Sequence, residues 1–288
     1  MNAKEERIAK RCMEEMSGVL VKEVETKKNN GQILRGLGID RPDSRETMIM
    51  YWVDIERSCG KNYTEEQAVK YILEQVKERK EFFLEDNDIL NWDWARSWIC
   101  KKVVNYKRNQ KRLEDFPHRR YLDLAELYYL YFPLAGGGMA AAEIPLALMN
   151  YWGTTPEELE QIARENMDAQ GYYLKTMDAV MAEQKLPELG GTVPLYVLSN
   201  KENELGAAAI TDPELLGRLT EGVDEDFYIL PSSVHELLLL PTRRVPSNVE
   251  GLRQVVRHVN WNAVKREEFL SDNVYRYSRL TGNIKLEK

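Results

Sequence analysis

The sequence predicts an α+β protein, in which antiparallel β-hairpins and sheets are packed by capped amphipathic helices. Two observations carry the prediction. Apolar runs come in pairs joined by short turn-forming stretches, which fit antiparallel pairing rather than long crossover connections. Between the pairs stand segments that open on Ser/Thr-x-x-Glu/Gln or Thr-Pro-Glu-Glu, followed by apolar residues at helical spacing.

Residues 3–16 read as an opening amphipathic helix through Ile8, Ala9, Cys12 and Met16. Val19–Thr26 and Gln32–Ile39 flank a turn in which Asn30-Gly31 readily takes positive φ. Met48–Ile55 reads as a third strand or a short helix. Thr64-Glu-Glu-Gln67 is a capping box for a helix carrying Val69, Ile72, Leu73 and Val76. Tyr121–Phe132 and Ala141–Leu148 read as a strand pair around Gly136-Gly-Gly138. Thr155-Pro156-Glu-Glu158 opens a helix with Leu159, Ile162 and Ala163 inward. Leu195–Ser199 pairs with Gly206–Ile210, and a helix begins at Thr211-Asp-Pro213-Glu214. Phe227–Leu230 pairs with Leu237–Leu240 across Pro231-Ser-Ser-Val-His-Glu236. A last helix opens at Ser247-Asn-Val-Glu250 with Leu252, Val255, Val256 and Val259 on one face. The charged stretch 107–118 ends near a proline and serves as a soft boundary between lobes 1–115 and 116–288, which also fit one continuous domain.

Composition narrows the function classes. The longest apolar runs are far too short to cross a bilayer, and the charged amino terminus carries no secretory h-region. Three scattered cysteines suggest neither a disulfide framework nor zinc, so a reducing cytoplasm is expected. Charge is segregated: residues 121–226 carry five basic against nineteen acidic side chains, within a net charge of −7. Such blocks fit a charged partner, self-association or plain solubility.

Val104-Asn-Tyr-Lys-Arg-Asn109, Asp115-Phe-Pro-His-Arg-Arg-Tyr-Leu-Asp-Leu124, Trp152-Gly-Thr-Thr-Pro-Glu-Glu-Leu159 with Ala163-Arg-Glu-Asn166, and Leu198-Ser-Asn200 with Gly206-Ala-Ala208 together resemble a domain-of-unknown-function family of clostridial gut bacteria. The most distinctive is Tyr228-Ile-Leu-Pro-Ser-Ser-Val-His-Glu236. The resemblance spans roughly residues 15–245 and implies a cytoplasmic bacterial protein, often encoded on a mobile element, without implying an activity.

The residues nominate two places to look. Ser232, Ser233, His235 and Glu236 crowd hydroxyls, an imidazole and a carboxylate into one turn. They read as turn caps, as a recognition loop, or as a hydrolase centred on Ser233 and His235, although neighbours in one turn seldom align as nucleophile and base. Lys107, Arg108, Lys111, Arg112, Arg119 and Arg120, with Tyr106 and Phe116 interleaved, could follow a nucleic-acid backbone, but the acidic pI of about 5.3 disfavours that. Trp92, Trp94 and Trp98 are expected to close a small core rather than to anchor a partner. No catalytic set, metal ligand set or cofactor-binding glycine loop is complete, so cofactors are expected to be none. The expected role is a non-enzymatic interaction or regulatory protein with a protein partner; a homo-oligomer or a nucleic-acid partner are the alternatives.

Overall fold

In the computed structural model, residues 1–42, 47–78, 89–133, 139–187, 194–244 and 249–287 are described. The chain divides into two compact units: Met1–Phe83 makes up the bulk of the first, and Leu84–Pro133 with Met139–Lys288 forms the second.

The first unit follows the sequence closely. Helix α1 (Ala3–Glu15) starts at Asn2, whose side chain accepts the Glu5 N–H while Glu5 reaches back to the Asn2 N–H. Strands β1 (Leu20–Lys27) and β2 (Ile33–Asp40) pair antiparallel, with β3 (Thr47–Tyr51) beyond β2. Asn30 and Gly31 take positive φ in the turn. The stretch read as strand or helix is both, β3 running directly into α2 (Trp52–Cys59). Helix α3 (Glu65–Glu78) begins at the Thr64–Gln67 reciprocal cap. Helices α1 and α2 lie against the sheet and α3 packs on both of them, joining Ile8, Cys12, Leu37, Ile39, Ile55, Val69 and Ile72 in one core. Period-2 alternation puts Val21, Leu37, Ile39 and Met50 inward.

The second unit opens with α4 (Trp92–Ala95), β4 (Ile99–Asn105) and α5 (Tyr106–Leu113). Then come β5 (His118–Tyr121), β6 (Leu124–Pro133), β7 (Met139–Glu143), α6 (Leu146–Trp152), α7 (Pro156–Gln170), β8 (Tyr172–Thr176) and α8 (Met177–Glu183). The chain continues through β9 (Tyr196–Asn200), a 3-10 turn at Gly206–Thr211, α9 (Pro213–Leu219), β10 (Phe227–Pro231), β11 (Leu237–Pro241), α10 (Val249–Ala263), β12 (Tyr275–Ser278) and β13 (Asn283–Leu286). Strand β6 is the centre of a four-stranded sheet, with β4 on one side and β5 then β7 on the other. The other sheet has the order β13-β12-β10-β11-β9-β8, antiparallel throughout.

Leu237–Leu240 is apolar at every position because β11 is covered on both faces. Leu237 and Leu239, with Phe227, Ile229 and Tyr275, pack against Ile210, Leu216, Val103 and Leu124. Leu238 and Leu240, with Tyr228 and Leu230, pack under α10 through Val256, Leu252 and Val249.

Four expectations change here. Gly206–Ile210 is not a strand: β9 already has β8 and β11 on its two edges, so this buried alanine-rich piece coils into the 3-10 turn. Ala141–Leu148 is strand only as far as Glu143, and Leu146 already belongs to α6. On α10, Val256 is buried but Val255 and Val259 are exposed. The stretch 107–118 lies inside the second unit, since β4 and β6 pair across it. Gly136-Gly-Gly138 and Ser247 lie outside the described residues.

Candidate functional site

The turn 231–236 closes the β10–β11 hairpin, and its polar groups are spent on holding it in place. The His235 N–H donates to Ser233 Oγ at 3.0 Å, and Ser232 Oγ donates to Glu236 Oε1 at 3.2 Å. Val234 is buried, and its backbone N–H donates to Glu268 O while its carbonyl accepts the Ala207 N–H. Ser199 Oγ donates to His235 O at 2.7 Å. Gly206 fits beneath: a β-carbon there would stand 2.6 Å from Asn200 N and 2.8 Å from His235 O.

The His235 ring points away from the serines' hydrogen bonds. Its Nδ1 accepts the Leu205 N–H at 3.3 Å and lies 3.1 Å from Glu204 Oε2, while Nε2 is 3.8 Å from Glu268 Oε1. Ser233 therefore meets the main chain of His235, whereas a nucleophile–base pair needs the hydroxyl on the imidazole.

Four of the six basic residues are drawn into separate local contacts. Arg112 pairs with Glu143, which also takes Lys102. Arg119 Nε lies 2.5 Å from Glu126 Oε2, its direct neighbour across the β5–β6 pair. Arg108 stacks over Phe269 and Arg120 over Tyr106, with the guanidinium carbon 3.7 and 4.6 Å from the ring centres. Lys107 and Lys111 stand exposed on α5. The tryptophans are half-buried: Trp92 stacks obliquely on Trp152, and Trp94 meets Phe132 edge-on.

The most unusual chemistry was hidden in β4. Lys101, Val103 and Glu126 share a face, and Lys101 is 1% exposed and Glu126 0%. Lys101 Nζ lies 2.9 Å from Glu126 Oε1 and donates to Glu160 Oε1 on α7 at 3.2 Å. Burial alone would raise the Glu126 pKa, but the Lys101 charge and the Arg119 and Thr211 hydrogen bonds outweigh it and hold the carboxyl below its ordinary range. The signal in the sequence was a pair of lysines inside the apolar run Ile99–Val104, which reads more easily as part of a basic stripe.

The model of the family of unknown function DUF5688 matches residues 2–279. The chain belongs to this family. No curated protein and no solved structure matches it. In this DUF5688 chain the described residues hold no cluster of three or more His, Cys, Asp or Glu able to bind a metal, and no described helix is long and apolar enough to cross a membrane. Two shallow concavities, of about 580 and 360 Å³, flank the Asp226–Arg276 pair. Within them Arg276 Nε and Nη2 donate to Asp226, and Arg279 Nη1 donates to the Thr220 and Val223 carbonyls.

Proposed function

We propose that the chain is a non-enzymatic interaction or regulatory protein of the bacterial cytoplasm that recognises a protein partner through its second unit. The observation that carries this reading is Trp261, an indole 86% exposed near the end of α10. On the same helix Val255, Val259 and Ala263 follow at four-residue spacing and are exposed. Tryptophan is enriched among the residues that dominate binding energy at protein interfaces. The acidic stretch 121–226 adds a means of steering a basic partner.

The test is a quantitative comparison of wild-type and Trp261→Ala chains in affinity capture from a bacterial lysate, with light scattering on each. The reading expects at least one protein to be enriched by the wild type and reduced tenfold or more by the variant, with thermal stability unchanged. Identical capture profiles from two monomeric chains would overturn it.

A further inference from the structure

We propose that His235 is a protonation switch that holds or releases the left-handed turn at Leu205. The inference is independent of the partner reading and rests on what surrounds one ring. Leu205 has φ +59°, a backbone region that a side-chain-bearing residue rarely adopts. Its N–H is held by His235 Nδ1, and the preceding turn is braced by Asn200, which accepts the Glu204 N–H and donates to the Glu204 carbonyl.

The charged groups around the ring come from three turns. Glu204 lies 3.1 Å from Nδ1, and Glu268 lies 3.8 Å from Nε2 with Lys265 paired to it at 2.7 Å. Glu236, on the histidine's own turn, is engaged by Ser232. A neutral imidazole offers the Nδ1 lone pair to Leu205, and that lone pair faces the Glu204 carboxylate unfavourably. A protonated imidazole has a donor on both nitrogens. Nδ1 then donates to Glu204, and the Leu205 N–H faces a proton where it had an acceptor. One proton thus attracts residue 204 and repels its neighbour 205. The Ala207 N–H, bonded to Val234 O, ties the same turn to the hairpin, so the release is passed on to residues 231–236.

The test is NMR on the full ¹⁵N-labelled chain from pH 8 to 5, following the three imidazoles and the Leu205 amide. Exposed His118 and His258 serve as internal references. Leu205 amide exchange, corrected for its intrinsic pH dependence, is expected to accelerate at least tenfold, with the midpoint of the His235 ring. His235→Asn keeps an acceptor near the Nδ1 position but cannot take up the proton, and it should leave Leu205 protected throughout. Should that variant fold poorly, coincidence of the Leu205 and His235 midpoints in the wild type decides the matter. Constant Leu205 protection through the His235 titration, or the same acceleration in His235→Asn, overturns the proposal.

Discussion

Lys101 and Glu126 face each other at 2.9 Å in the interior of the second unit, both closed to solvent. An ion pair in such a place is costly to desolvate, and removing one member strands the other charge. We predict that Lys101→Met destabilises the chain by about 3–5 kcal/mol, measured by urea unfolding. Replacing both residues with apolar ones of similar volume should recover most of that loss. A Lys101→Met change costing under about 1 kcal/mol would show that the pair is solvated after all.

The same site gives a pH dependence. The folded-state pKa of Glu126 is lowered, and Glu143 is lowered in the same sense by Lys102 and Arg112, which outweigh its burial. A lowered carboxyl contributes stability that is present above the unfolded value, here 4.5, and is lost as pH falls through the folded value. Unfolding midpoints should therefore drop on the acid side of pH 4.5. Glu126→Gln, less stable overall, should show a shallower acid decline.

Thiol chemistry should separate the cysteines. Burial pushes Cys12 up to about 12 and Cys100 up to about 11, and both are closed to solvent, while Cys59 is half-exposed. Because the thiolate is the nucleophile, brief iodoacetamide treatment of the native chain at pH 8 should label Cys59 first, read by peptide mass spectrometry. Equal labelling of Cys100 would contradict the packing of β4.

On α10, Val256 and Val255 are adjacent in sequence and opposite in environment. Val256→Ala should cost about 2 kcal/mol, since it removes two buried methylene equivalents and leaves a cavity under the helix. Val255→Ala should fall within about 0.5 kcal/mol of wild type. Equal costs would place the packed face elsewhere.

A glycine test belongs to the first unit. A β-carbon at Gly36 would run into the Met50 carbonyl across the β2–β3 pair. Gly36→Ala is expected to cost about 1–3 kcal/mol or more by forcing these strands apart. Gly60→Ala offers a contrast, because no atom stands near its β-carbon and its positive φ alone opposes the change.

These residues also mark what local sequence could and could not reveal. The cap at Thr64 and the β1–β2 turn were legible because their signals are local: Thr64 and Gln67 bond each other, and Asn30-Gly31 bends as its dihedrals favour. The β10–β11 pair was legible for the same reason. Strand β4 was not, because Lys101 is buried only through Glu126 and Glu160, 25 and 59 residues away. Strand β12 is four residues long, and its place in the sheet depends on pairing with β10 some fifty residues earlier. On α10 the sheet beneath chose Val256 over Val255, a choice that helical spacing leaves open. At the turn 231–236 the composition was plain, but its partners at 199–207 and 268 come from elsewhere in the chain.

Strand β6 has an implication for the order of assembly. All of its partners lie close in sequence, β4 ending at Asn105, β5 starting at His118 and β7 ending at Glu143. The six-stranded sheet, by contrast, waits for Tyr275 and its neighbours to reach β10. Contacts between near residues close small loops and form fast. A nascent chain that has released residue 143 already holds every strand of the four-stranded sheet. Lys101 and Glu126 can meet at that stage while still wet, and water leaves the pair only when α7 and the later strands arrive.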